Sequence, residues 1–366
     1  MSHTHKTNSR VIRSLGLLTT VIFGVITILG SGGGSDGGST AVTPVTYTGI
    51  KDQALITATN AQALGEVAYM GATVGTSITV ASVQPTQQGE TRSASVVSIV
   101  RTLHAVMNSI DVSSATGSIP AGWTETLLQP GNCTGAPGTV SGSLVVNENP
   151  APDPDRGTFT GNLVFADYCL SPTGDPADGL TMDGPVAFNG TCDAATFDPA
   201  TQTCDIISYT MTFTNLNTRG FGESQTIRGT LTSAITASGY DTTVNMLLRD
   251  DNANVTFKFE NYLIAVTENS PIGYDSIEVS GKAYHPSYGY VDVSTLTPVQ
   301  VTTGSVGQPE LGVIQLTGAI PAGAVLPTTA TFTFYAGDFY DLDIDTNGVG
   351  AVDVSLTCSW SSGLCS

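Results

Sequence analysis

Residues 225–266 read QTIRGTLTSAITASGYDTTVNMLLRDDNANVTFKFENYLIAV, and this stretch decides the fold class. Three runs of alternating apolar and polar residues are separated by Ser238-Gly239 and by the turn-forming Asp250, Asp251, Asn252 and Asn254. Ile227, Leu231 and Ile235 fall on one parity of the first run, and Val255, Phe257 and Phe259 on one parity of the third. A strand sends successive side chains to opposite faces, so this period of two predicts antiparallel strands with one buried face.

Outward from this stretch the same pattern recurs. Strands are expected at 139–147, 157–167, 180–189, 205–216, 225–237, 240–249, 254–266, 276–283, 290–294, 299–303, 313–318 and 329–336, with a hairpin over 338–360. Connections are short and carry Pro, Gly, Asn or Asp, and no helical pattern of useful length interrupts them. The expected fold is mainly β: a large antiparallel meander folded as a sandwich, roll or barrel, preceded by two short amphipathic helices. An outer-membrane barrel fits less well. Aromatics are only 7% of residues, with no girdle-like banding, and the chain ends without a terminal aromatic strand.

The helices belong to residues 47–115. In the first, Thr59-Asn60-Ala61-Gln62 has the form of a capping box, and Leu64, Val67, Ala68 and Gly71 follow at helical spacing. The second, over 92–110, places Val96, Ile99, Val100, Leu103, Val106, Met107 and Ile110 on one face. His104 flanks that face, where a lone imidazole reads as structural.

The first 30 residues read as an export signal or anchor. Lys6, Arg10 and Arg13 precede a nearly uncharged apolar run, 14–29, and no acidic residue is present. A Gly/Ser-rich tether follows over 31–46. Its GGSDG and GxGxxG matches lack the strand-to-helix turn that the corresponding chemistries require. The junction Ile28-Leu29-Gly30-Ser31 has the layout of a lipoprotein processing site with Ser31 where a lipidated Cys would stand. Twelve basic residues face 31 acidic ones, a net charge of −19. Without the three leader cations the balance is nine against 31, or −22. Such a chain is repelled by nucleic acid and by anionic membranes, so membrane association is expected only through an uncleaved leader.

All six cysteines lie beyond residue 132, within the expected β domain 116–366. An even count behind an export signal suggests disulfides. Strand ends facing one another give three local pairs: Cys133–Cys169, Cys192–Cys204 and Cys358–Cys365. None of these cysteines has zinc-site spacing.

Two stretches could carry chemistry. In the first, Asp343, Asp345, Asn347 and Gly348 match the opening positions of a calcium loop, with Asp353 near its end, although Val354 stands where a bidentate Glu belongs. The other reading of the same residues is a hairpin turned at Asn347-Gly348. In the second, Tyr284, His285, Tyr288 and Tyr290 could line a polar-aromatic ligand patch, or pack over a turn. No nucleophile or acid stands beside His285 in sequence. No residue is assigned a catalytic role, and calcium is the one cofactor the sequence suggests.

YHPSYGYVDVST (284–295), IQLTGA (314–319) and DIDTNGVGAVDV (343–354) resemble the C-terminal part of exported, often lipoprotein-like all-β proteins of Gram-negative bacteria. Those proteins tend to carry an acidic residue where this chain has Val349. The resemblance implies location and architecture but brings no known activity with it. The expectation is an exported protein of the periplasm, outer-membrane surface or extracellular space, with a non-catalytic structural, interaction or binding role toward an envelope protein or a glycan. A calcium-assisted adhesion or carbohydrate-binding module is one alternative. A hydrolase using paired carboxylates among Asp338–Asp345 is another.

Overall fold

In a computed structural model, the described residues are 44–76, 123–135, 137–148, 156–171, 174–198, 203–220, 223–268, 273–302, 309–360 and 364–366. The leader, most of the tether, the expected second helix and His104 lie outside them. Residues Pro44–Ser366 form one unit.

Helix α1 (Ala61–Thr76) is followed by fourteen strands: β1 (Trp123–Pro130), β2 (Thr139–Glu148), β3 (Arg156–Leu170), β4 (Leu180–Asp198), β5 (Thr203–Gly220), β6 (Glu223–Thr236), β7 (Gly239–Asp250), β8 (Val255–Thr267), β9 (Tyr274–His285), β10 (Gly289–Thr302), β11 (Leu311–Thr317), β12 (Thr329–Phe334), β13 (Phe339–Asp345) and β14 (Val354–Ser359). Every strand pairs antiparallel with its neighbour in sequence, so the molecule is a single 14-stranded meander. Among the described residues β1 and β14 do not pair, and the sheet is not closed.

The expected strands are present, with three differences. β1 was not foreseen, because it offers only eight residues and ends on Gln129-Pro130. The strands expected at 290–294 and 299–303 are one, β10, interrupted by register shifts around Thr295–Gln300. The third difference lies at the start of the quoted stretch. Ile227 and Leu231 are buried, but Ile235, next to the end of β6, is 42% exposed.

The sheet is creased along one line. Asp167 in β3, Asn215 in β5 and Asn261 in β8 sit at φ 47°, 56° and 48°, each beside a register shift. Asn and Asp tolerate this left-handed region better than other side chains. On the neighbouring strands Gly229 and Gly281 have φ 134° and 127°, and a Cβ on either would lie 2.2 or 2.4 Å from the carbonyl oxygen of Asn245 or Asn261. Only glycine lets the backbones approach this closely. A bulge bends its strand and sharpens its twist. Aligned bulges from β3 to β9 therefore bend the whole sheet.

The bend encloses α1. Leu64, Val67 and Ala68 are buried, and the Tyr262 hydroxyl donates to Ala68 O at 2.6 Å. A Cβ on Gly71 would lie 2.8 Å from the Phe259 ring, and one on Gly65 would lie 2.3 Å from Phe332. Strands as distant as β8 and β12 thus close on one helix. The helix start also differs from a capping box. Asn60 folds its own side chain back, accepting from Thr57 N–H and donating to Leu55 O, while the Thr59 hydroxyl pairs with that of Thr57.

Residues 44–60 form a strap across the sheet. Val45 N–H donates to Asn215 Oδ1 at the crease. Further on, Tyr290 N–H donates to Asp52 O, Ala54 N–H to Tyr290 O, and Ala319 N–H to Ala54 O. The strap therefore passes between the start of β10 and the end of β11 on its way to α1.

Two expected disulfides are formed, Cys133–Cys169 and Cys358–Cys365. The first follows from the β2–β3 register, which pairs Thr139 with Ala166 and Glu148 with Gly157. β4 and β5 pair as the hairpin expected around Cys192 and Cys204, whose side chains lie outside the described residues.

Candidate functional site

One cross-strand row organises the outward face of the crease. Arg228 of β6 pairs with Leu247 of β7, Leu247 with Lys258 of β8, Lys258 with Tyr284 of β9, and Tyr284 with Tyr290 of β10. Cross-strand neighbours lie roughly 4.8 Å apart, so Arg228 and Lys258 stand about 10 Å apart along the row. One step further along the same face, Glu260 pairs with Lys282. The strap adds Tyr47 and Lys51 from above. Of these, Arg228, Leu247, Lys258, Glu260 and Tyr284 line, with Tyr47 and Lys51, a cleft of about 530 Å³. Met246 and Phe259 lie beneath it with their side chains buried in the core, where the bulges open the ladder. A cleft of that size falls within the range that holds small ligands.

The charges in the cleft are unusual for this chain. Six cationic side chains are described: Lys51, Arg219, Arg228, Arg249, Lys258 and Lys282. Arg219 pairs with Asp167, Arg249 with Asp251, and Lys258 with Glu260. Among the described residues, no carboxylate forms an ion pair with Lys51, Arg228 or Lys282. Three of the six cations line the cleft, and Lys282 stands beside it with its ammonium 4.3 Å from the Tyr290 ring centre. Arg228 gives one donor, from a terminal nitrogen, to Val45 O at 2.9 Å and keeps the rest of its guanidinium for the cleft.

The aromatic wall is also held in place. Tyr47 and Tyr284 meet edge to face at 5.6 Å, and Tyr284 and Tyr290 lie 5.1 Å apart. The Lys258 ammonium stands 4.4 Å over the Tyr284 ring. The Tyr284 hydroxyl donates to Glu260 Oε2 at 3.0 Å, and Lys258 donates to the same oxygen. The hydrogen bond from Lys258 pulls the Glu260 carboxyl below its ordinary range. Burial pushes the Tyr47 phenol up to about 12, and burial with the Glu260 hydrogen bond pushes the Tyr284 phenol up as well. Near neutrality the carboxyl is therefore ionised and both phenols are protonated.

The expected ligand patch divides between two places. Tyr284 lines the cleft wall and Tyr290 backs it. His285 and Tyr288 instead stack on each other at 4.5 Å, with Phe257 edge-on to the imidazole at 5.8 Å. Adjacent residues of a strand point to opposite faces, which separates His285 from Tyr284. Burial lowers the His285 pKa, and its Nδ1 accepts from Ser287 N–H. Sequence reading missed Arg228, Lys258, Glu260, Lys51 and Tyr47. The first three do carry a signal, because Arg228 precedes the crease glycine Gly229 and Lys258-Phe259-Glu260 precedes the crease Asn261.

The acidic stretch near the C-terminus is placed differently from the calcium expectation. β13 and β14 do form the hairpin, but an eight-residue loop, 346–353, joins them instead of a tight Asn347-Gly348 turn. Asp345 is buried and accepts from the N–H groups of Asn347, Gly348 and Gly350 at 3.1, 2.7 and 2.7 Å. Asp353 accepts from the N–H and hydroxyl of Thr346 and from Asn347 Nδ2. Asp343 and Asp341 accept from the hydroxyls of Ser355 and Thr357 on β14, and Asp338 accepts from Ser359. The oxygens that would ligate a cation are turned to these donors. Among the described residues no group of three or more His, Cys, Asp or Glu side chains is arranged to hold a metal. The carboxylates also run along a strand face and do not converge.

No family model matches the chain, and neither a curated protein nor a solved structure shows significant similarity to it.

Proposed function

We propose that this chain is an exported, non-catalytic binding protein whose ligand sits in the crease cleft between β6–β9 and the strap. The observation that carries this reading is the gathering of Lys51, Arg228 and Lys258 around one aromatic-walled cleft, in a chain whose cations are few. Binding suits this arrangement, because Lys258 and the Tyr284 hydroxyl both hold one oxygen of the one carboxylate in the cleft. Export is supported by the basic-then-apolar leader and by the two disulfides, which suit a non-reducing compartment.

The test is thermal melting of the full chain against a panel of envelope-type small molecules and glycans, repeated on Arg228→Gln. A ligand bound only by the folded state raises stability by about 2.7 kcal/mol at a hundredfold excess over Kd. We expect at least one panel member to raise the Tm of the parent chain and to lose that effect in the variant. A ligand that stabilises both proteins equally would remove the cleft as its seat.

A further inference from the structure

We propose that the cleft takes a saccharide unit bearing an oxyanion, either a carboxylate or a phosphate. This rests on the cleft being the ligand seat and names the chemistry of the ligand. The groups lining it that have hydrogen-bonding capacity to spare are almost all donors. Lys51 contributes an ammonium without a carboxylate partner, and Arg228 contributes the part of its guanidinium not bound to Val45 O. Asn245 spends its Oδ1 on Asn261 N–H, which leaves its amide N–H₂ as the group with capacity to spare. The one carboxylate, Glu260, has an oxygen taken up by both Lys258 and Tyr284. A donor-rich rim with a net positive local charge favours an anionic group, and a planar guanidinium suits a carboxylate or phosphate in particular.

The body of the ligand is set by the remaining walls. The rings of Tyr47 and Tyr284, with Leu247, present apolar surface beside the cations. A bare inorganic anion would use the donors and leave that surface unused. A sugar ring offers C–H faces to the tyrosines while its carboxylate or phosphate reaches Arg228 and Lys51. The cleft volume suits one or two such units. The net charge of −19 repels an anion at long range. Occupancy then depends on the local cluster, and removal of a single cation from it should be felt strongly.

The test is calorimetric titration of the full chain at low salt with four probes: glucuronate, glucose 6-phosphate, glucose and inorganic phosphate. Glucuronate or glucose 6-phosphate should bind at least about tenfold tighter than glucose and tighter than phosphate, and which of the two wins identifies the oxyanion. Lys51→Gln should weaken that binding about tenfold. Lys51 is exposed and has no ion-pair partner among the described residues, so this variant keeps the fold. Raising sodium chloride from about 50 to about 200 mM should weaken binding further. Glucose binding as tightly as glucuronate would overturn the oxyanion, and phosphate alone binding as tightly as glucose 6-phosphate would overturn the sugar. Binding by none of the four would overturn the saccharide class while leaving the cleft open to another ligand. Sugar binding undiminished in both Lys51→Gln and Arg228→Gln would overturn the cleft itself.

Discussion

Asp345 shows how far the local setting of one side chain decides its role. Its sequence neighbours fit a calcium loop, yet its two oxygens accept three backbone N–H groups and shape the loop 346–353 directly. Gly348 N–H is buried, so removing its acceptor leaves a donor without water. Asp345→Ala should therefore lower stability by about 1–3 kcal/mol in urea unfolding monitored by circular dichroism. The Tm of the parent chain should be the same in EDTA and in millimolar calcium. A calcium-dependent rise that Asp345→Ala abolishes would show that the N–H donors yield to the ion.

At the scale of elements, the crease is the feature that sets both faces of the sheet. Its inner side receives α1 against Phe259 and Tyr262, and its outer side opens the cleft between Arg228 and Glu260. The motif behind it is present in the sequence three times: Phe165-Ala-Asp167-Tyr168, Phe213-Thr-Asn215-Leu216 and Phe259-Glu-Asn261-Tyr262. In each, two inward-facing residues are separated by two others instead of one, which is the signature of an inserted bulge residue. Gly281→Ala combines positive φ with a Cβ 2.4 Å from Asn261 O, whereas Gly273→Ala at φ 79° meets nothing within 4 Å. Gly281→Ala should cost about 1–3 kcal/mol more than Gly273→Ala in parallel urea titrations. Equal costs would mean that the crease relaxes freely.

For the whole molecule, one core runs from Ile56 on the strap through α1 to Cys358 on β14. An open meander has no second sheet to cover its inner face, and α1 covers the part formed by β7, β8 and β9. Leu64 is fully buried beneath the sheet, so Leu64→Ala should cost about 2–5 kcal/mol. Because the helix touches strands from both limbs of the bend, unfolding of this variant should remain a single transition, with tertiary and secondary probes coinciding. Two separated transitions would show that the limbs fold independently.

The sequence by itself determined most of the strands, their antiparallel order and two of the disulfides. These follow from period-two alternation and from turns short enough to force neighbours to pair, as in Ser238-Gly239 between β6 and β7. It also placed Tyr284 and Tyr290 in a patch. Only the tertiary structure decided that the sheet bends about a helix, and that Lys51 and Tyr47 meet Arg228, Lys258 and Glu260 across more than 170 residues of chain. The physical reason is range. Alternation and turn chemistry act over a few residues, whereas the cleft depends on the register of four strands and on a strap that crosses them. A single inserted residue in a strand is enough to shift that register.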